Sequence, residues 1–211
     1  VSVASHEFRT PLSVIQSNAQ LLEMIIDKKD TKESDNYKQI VGRIKSAISG
    51  MTELMNDVLL IGSVEAGKTY FKPENIDLKQ FCNNLETKFN LIQDDKRILM
   101  VNITGEASNF YSDPKLLDHV LSNLIDNAFK FSVGQRNPEL CIDCKSTEVV
   151  FLVNEYGIGF KEEHSKNLFE PFFRADNTLG IKGTGLGLNI VKEYVELING
   201  IVTFKSQLDK G

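Results

Sequence analysis

The apolar residues of this chain first follow a helical rhythm and then abandon it. From Phe8, the positions Leu12, Ile15, Ala19, Leu22 and Ile26 step by four and three residues alternately, which is the spacing of a heptad seam along one helix face. After the polar stretch "DKKDTKES" the rhythm resumes at Tyr37, Ile40, Ile44, Ala47, Met51, Leu54, Val58 and Ile61, and Val41, Ile48 and Met55 widen the stripe. Two such helices joined by a short polar loop predict an antiparallel hairpin. Stripes this broad leave apolar surface that two helices cannot cover, so the pattern predicts a homodimer in which two hairpins form a four-helix bundle. Packing of the stripes on the rest of the same chain is the alternative.

The heptads stop at "SVEAGKTYFKPENIDL", where Gly67, Pro73 and polar residues mark a boundary. The chain therefore divides into a helical domain over 1–66, a linker over 67–75 and a second domain over 76–211. Within the second domain "DLKQFCNNLETKFNLIQDD" reads as a helix and "ILMVNITG" as a strand. "DPKLLDHVLSNLIDNAFKFSV" reads as a helix opened by Asp113 with Pro114 in its first turn. Strands at "ELCIDCKS" and "EVVFLVNE", a glycine-interrupted polar stretch, a helix near Leu186 to Ile198 and a last strand "IVTFKS" complete an α/β pattern.

Charge and cysteine content narrow the function classes. A net charge of -5 and a pI near 5.3 argue against a domain built to neutralise nucleic-acid phosphates. No apolar run approaches the roughly 20 residues that cross a bilayer, and no secretory signal opens the chain. The sequence starts "VSVASHEF", without methionine and inside a patterned segment, which predicts a fragment whose upstream part could carry a membrane anchor. Three cysteines, Cys82, Cys141 and Cys144, do not make a disulfide framework and suit a reducing compartment. Cys141 and Cys144 lie three apart in a strand, on opposite faces, which disfavours a shared metal.

Candidate chemistry gathers at two glycine clusters, "NEYGIGF" and "GTGLGL". Glycines let backbone approach a ligand closely, and the second cluster runs straight into a helix whose first amides can receive phosphate oxygens. Either cluster alone is also what an ordinary turn contains. Neither matches a phosphate loop ending in lysine and a hydroxyl, nor a dinucleotide fingerprint. On the helix between, Asn123 and Asn127 share a face and Lys130 follows three residues later. Carboxamide oxygens suit magnesium, and lysine suits phosphate.

In the order "SHEFRTPLS", "LSNLIDNAFKFS", "NEYGIGF", "FEPFFRADN" and "GTGLGLNIVK", the chain resembles the catalytic core of a sensor histidine kinase of two-component signalling, over nearly its whole length. The resemblance implies a dimerising phosphotransfer hairpin and then an ATP-binding domain of the Bergerat type, an α/β sandwich with a mixed sheet shared with gyrase and heat-shock chaperones. It implies His6 as phosphoacceptor, Glu7 as the proton acceptor beside it, and Thr10 as the residue that positions water for dephosphorylating a partner. Asn127 matches the magnesium ligand, Asn123 lies on the same side, Lys130 points toward the phosphates and Phe131 lies against the nucleotide. Gly157 and Gly159 match the first glycine box, and Gly183, Gly185 and Gly187, with Thr184 and Leu186 between them, the second. "LFEPFFRAD" matches the mobile lid, with Phe172, Phe173 and Arg174 at its centre. The implied ligands are ATP and Mg2+. The implied partners are a second copy of the chain and the receiver domain of a response regulator, with no nucleic acid and no direct membrane contact. The implied location is the cytosolic side of a sensor.

One position departs from the pattern. The family has aspartate two residues before the first glycine of "GIG", where its carboxylate accepts from the adenine amine, and this chain has Glu155. Two readings besides the kinase therefore stay open, a phosphatase-dominant relative and a non-catalytic dimeric scaffold. In the kinase reading His6, two residues off the Phe8–Leu12 seam, is exposed. A neutral imidazole attacks phosphorus while Glu7 holds its proton. Pro11 removes one helical donor and crowds the carbonyl of Glu7, which predicts a bend in the first helix.

Overall fold

The computed structural model describes the backbone of residues 2–27, 34–65, 67, 70–92, 95–105, 110–178, 180–181, 183–208 and 210–211. The chain divides into two compact units, Val1–Ser63 and Val64–Gly211.

The first unit is built from α1 (Ser2–Asp27) and α2 (Ser34–Glu65). Helix α1 runs through Pro11 without interruption. The seam of α2 is the covered face: Ile40 and Leu54 are buried, and Ile44, Ala47, Met51, Val58 and Ile61 are half-buried. Val41, Ile48 and Met55, spaced seven apart, stay exposed along one row. In α1, Ile15 and Leu22 are half-buried but Leu12, a seam position, is half exposed, whereas polar Asn18 is buried with its side-chain amide donating to the Val14 carbonyl at 2.7 Å. Phe8 and Ile26 fall on α1, with side chains outside the described residues.

The second unit is an α/β domain with a mixed sheet. Strands β2 (Met100–Gly105), β4 (Glu139–Cys144) and β5 (Val149–Asn154) pair in the order β2-β4-β5, parallel and then antiparallel. A parallel neighbour needs a crossover, and the long helix α4 (Pro114–Phe131) lies in that connection. Helix α3 (Leu78–Ile92) packs with α4 on one sheet face. Leu78, Cys82, Leu85 and Phe89 of α3 and Leu117, Leu121, Ile125 and Phe129 of α4 meet Leu140 and Ile142 of β4 in one buried cluster. Both helices repeat at three and four residues while the strands alternate, which is how the two periods share a core. Helix α5 (Gly187–Leu197) packs on α4, with His119 and Tyr194 edge to face at 5.8 Å. A separate ribbon joins β1 (Glu74–Ile76) antiparallel to β3 (Phe110–Ser112).

Alternation along β4 separates the two thiols of the Cys141/Cys144 pair. Cys144 packs against the core beside Cys82, and Cys141 stands opposite Leu152 on the other face. Burial pushes the Cys82 thiol up to about 11, so it stays protonated and behaves as a small apolar side chain. The segment read as a last strand, 201–206, has no ladder among the described residues. A side chain ties it instead, the Phe160 N–H donating to Ser206 Oγ at 3.1 Å, and Phe204 lies against Phe160 and Phe169.

Candidate nucleotide site

Helix α4 carries four of the candidate residues, Asn123, Asn127, Lys130 and Phe131, and both of its ends are fixed. At the start, Asp113 is buried and its Oδ1 accepts from the amides of Lys115 and Leu116 at 2.9 and 3.2 Å, with Pro114 next in the chain. Its Oδ2 accepts the Lys72 N–H at 2.9 Å, so one carboxylate caps the helix and anchors the segment before β1. A cap of this kind contributes about 1 kcal/mol. At the other end, the guanidinium of Arg97, from the connection between α3 and β2, reaches the Phe129 carbonyl in the last turn of α4 and the carbonyl of its C-cap, Ser132.

Along the helix, Asn123, Asn127 and Lys130 are half-buried and Phe131 is the final residue. The Asn123 side-chain amide donates to the His119 carbonyl at 2.9 Å, which leaves its Oδ1 toward the second glycine cluster. There a β-carbon on Gly187 would stand 2.8 Å from Asn123 Oδ1, and one on Gly183 would stand 2.8 Å from Lys130 Nζ. At these two positions the loop lies close along the polar face of α4, so a β-carbon would displace the tip of Lys130 or the Asn123 carboxamide. The first glycine cluster meets the end of the same helix. The Ile158 N–H donates to the Phe131 carbonyl at 3.2 Å, and Gly157 lies against that carbonyl. A cavity of about 150 Å³ opens between Phe131, Val133, Gln135, Gly157 and Ile158.

Glu155 stands beside Gly157, its Oε2 buried and without a hydrogen-bond partner among the described residues. Burial pushes its carboxyl up to about 7. A buried carboxyl oxygen with nothing to bond is expensive, and a site that takes up a ligand is one setting in which such a group occurs.

The stretch between the glycine clusters is held by its own contacts. Arg174 donates through Nη2 to the carbonyls of Thr178 and Ile181 at 2.6 and 2.5 Å, and Phe173 meets His164 edge to face at 5.7 Å. Asn177 donates to the Gly159 carbonyl at 2.8 Å, and the Phe172 N–H to the Gly185 carbonyl at 3.0 Å, so each glycine cluster is tied to this stretch. Leu186, buried, is the N-cap of α5 and supplies no capping oxygen, although its own amide donates to Thr184 Oγ1 at 3.2 Å. The first turn of α5 therefore presents amides suited to an anion.

In the first unit, Thr10 is exposed on α1. His6 and Glu7 belong to α1, and their side chains lie outside the described residues. At the two ends of α4, sequence reading missed the contacts of Arg97 with Ser132 and Phe129 and the bond of Asp113 to the Lys72 amide. Only the Asp113-Pro114 pair carried a local signal. Nothing in "DDKRILMV" distinguishes Arg97 from a surface cation.

Residues 1–67 match the family described as His Kinase A (phospho-acceptor) domain, and residues 112–211 match the family described as histidine kinase-, DNA gyrase B- and HSP90-like ATPase. The chain is 32% identical over 216 residues to the autoinducer 2 sensor kinase/phosphatase LuxQ of Vibrio vulnificus, an alignment covering 98% of this chain and 24% of that protein. The chain thus spans about a quarter of that relative's length. The fold is similar to that of the Acinetobacter baumannii histidine kinase AdeS, with a TM-score of 0.72 and 23% identity, covering 97% of this chain and 93% of that one. It is also similar to that of the histidine kinase ThkA, solved in complex with response regulator protein TrrA, with a TM-score of 0.67 and 19% identity, covering 93% and 53% of the two chains.

Proposed function

The chain belongs to the histidine kinases, and from that premise we propose that it phosphorylates itself on His6 with Mg-ATP and passes the phosphoryl group to an aspartate of a response regulator. The observation that carries this reading is the closure of both glycine clusters onto one helix, α4, with Lys130 at Gly183, Asn123 at Gly187 and Phe131 at Ile158. That arrangement brings a cation, a carboxamide and the first amides of α5 together along one face of α4, the kinds of group phosphoryl transfer requires.

In this reading Lys130 and the first amides of α5 bind the phosphates, and Phe131 lies against the base. Glu155 Oε2 accepts from the adenine amine, which gives the unpartnered oxygen its bond. The donor set suits magnesium, because the Asn127 carboxamide oxygen is a hard, neutral ligand on the same helix face as Asn123. An ion held there would supply charge neutralisation at the phosphate oxygens. The His6 nitrogen forms a bond to the γ-phosphorus as the bond to the ADP oxygen breaks, and Glu7 takes the imidazole proton. Thr10 positions water in the reverse duty, removal of phosphate from the regulator.

The exposed row Val41, Ile48 and Met55 supports a second copy of the chain as the partner of the hairpin, forming a dimeric four-helix bundle. We place the protein on the cytosolic side of a sensor. Among the described residues no helix is long and apolar enough to cross a membrane. The test is Asn127→Ala in the full chain: label transfer from γ-labelled ATP should vanish while the melting transition persists, and undiminished transfer would refute the magnesium assignment.

A further inference from the structure

Arg97 is 8% exposed, and its surroundings match four of its five N–H donors. Nη1 donates to the carbonyl and hydroxyl of Ser132 at 2.9 and 2.8 Å, Nη2 to the Phe129 carbonyl at 2.8 Å, and Nε to Asp95 Oδ2 at 2.6 Å. The guanidinium also lies 5.2 Å above the Phe129 ring. Ser132 Oγ, which accepts from Arg97, in turn donates to the Ala128 carbonyl at 2.5 Å.

Terminating a helix does not require this. A glycine or asparagine in left-handed conformation caps orphan carbonyls without burying a charge, whereas a buried guanidinium is costly unless nearly every donor is matched. What the fork adds is direction. Its two arms hold the carbonyls of residues 129 and 132, and the residues between them are Lys130 and Phe131. Those two side chains sit about 100° apart around a helix, so a small rotation of the last turn would move both. Lys130 Nζ is packed at Gly183, and the Phe131 carbonyl receives the Ile158 N–H beside Gly157. The cation also lies at the negative end of the α4 dipole, where it is favoured.

We propose that Arg97 is a positioning residue for nucleotide binding: by clamping the carbonyls of Phe129 and Ser132 it sets the rotation of the last turn of α4, so that Lys130 and Phe131 engage the two glycine clusters together. The inference rests on the nucleotide-site reading above. Arg97 touches no substrate in it and acts through Lys130 and Phe131.

The test uses the full chain with Arg97→Met, which keeps length and removes the fork, and Ser132→Ala, a milder change that removes one acceptor. Two quantities are read at a temperature well below each melting transition. The first is the exchange rate of the Ile158 amide without nucleotide, with the Leu85 amide of α3 as reference. The second is affinity for Mg-ADP. Arg97→Met should speed exchange at Ile158 about tenfold relative to Leu85 and weaken Mg-ADP binding about tenfold, with smaller changes of the same sign in Ser132→Ala. In autophosphorylation the variant should raise KM for ATP more than it lowers kcat. A folded Arg97→Met with a lowered melting point, unchanged relative exchange at Ile158 and unchanged affinity would overturn the proposal and leave a purely structural role. If Arg97→Met does not fold, unchanged exchange at Ile158 in Ser132→Ala overturns it. If the parent chain binds no nucleotide, the reading of the site fails, while exchange at Ile158 still decides whether Arg97 aligns the turn.

Discussion

Lys130 and Gly183 meet so closely that a β-carbon on the glycine would stand 2.8 Å from the lysine Nζ. The nearest atom is the end of a flexible side chain, so Gly183→Ala can be accommodated by moving the ammonium. The expected result is a melting point nearly unchanged, with stability altered by less than about 1 kcal/mol, and an ATP affinity reduced about tenfold. Titration of Mg-ATP beside a thermal melt checks both. A variant that loses stability but keeps affinity would contradict the role given to Lys130.

Gly187 makes the parallel case at Asn123, where the would-be contact is with Oδ1. Gly187→Ala should turn the Asn123 carboxamide away from the loop, and the double variant Gly187→Ala/Asn123→Ala should bind ATP no worse than either single one. Additive losses in the double-mutant cycle would show that the two act separately.

Glu155 predicts a pH dependence of stability with a definite sign. Burial raises its carboxyl from the ordinary 4.5 to about 7, so between these values the folded domain holds a proton that the unfolded chain releases. Its contribution is fully present below about pH 4.5 and is lost as pH rises through about 7, a loss on the order of 2 kcal/mol after allowance for partial hydration. Denaturant melts at pH 5 and pH 8 measure it. Glu155→Gln should flatten that dependence, and an equal slope in the variant would place its origin elsewhere.

The same group predicts the opposite trend for the ligand. The ionised carboxyl accepts from an adenine amine more strongly than the neutral one, so ATP affinity should rise with pH through about 7, by less than about tenfold per unit below the transition. Glu155→Asp should bind adenine nucleotide at least as well as the parent, because it restores the shorter acid of the family pattern. Weaker binding in Glu155→Asp would mean that the backbone beside Gly157 has adjusted to the longer side chain.

How much of this was legible in the sequence depended on the range of the interaction. The heptads of α1 and α2, the Asp113-Pro114 start of α4 and the alternation of β4 and β5 are local patterns, and each became the expected element. The three-residue strands β1 and β3 were not legible, because so short a run has no period of its own and exists only through pairing of Glu74–Ile76, partly within the stretch read as linker, with Phe110–Ser112. Segment 201–206 shows the converse. Its alternation reads as a strand, yet contacts of Phe204 and Ser206 with Phe160 and Phe169 hold it without a ladder. In the site, residue types and spacing pointed to α4 and the glycines, but the unpartnered Oε2 of Glu155 and the fork of Arg97 are properties of burial, which spacing does not encode.

The exposed heptad row gives a prediction about assembly. Ile48→Glu places a charge in the middle of the row formed by Val41, Ile48 and Met55. Sedimentation should find a dimer for the parent and a monomer for the variant, while helix content is retained because Ile48 is half exposed within one chain. A dimer that survives the substitution would move the interface to another face.

The central claim is that His6 receives the γ-phosphoryl group. Incubation of the chain with Mg2+ and γ-labelled ATP should give protein-bound label that is stable in base and labile in acid, as a phosphoramidate is, and His6→Gln should carry none. Label that persists in His6→Gln, or a parent chain that binds ATP yet never becomes labelled, would contradict the account.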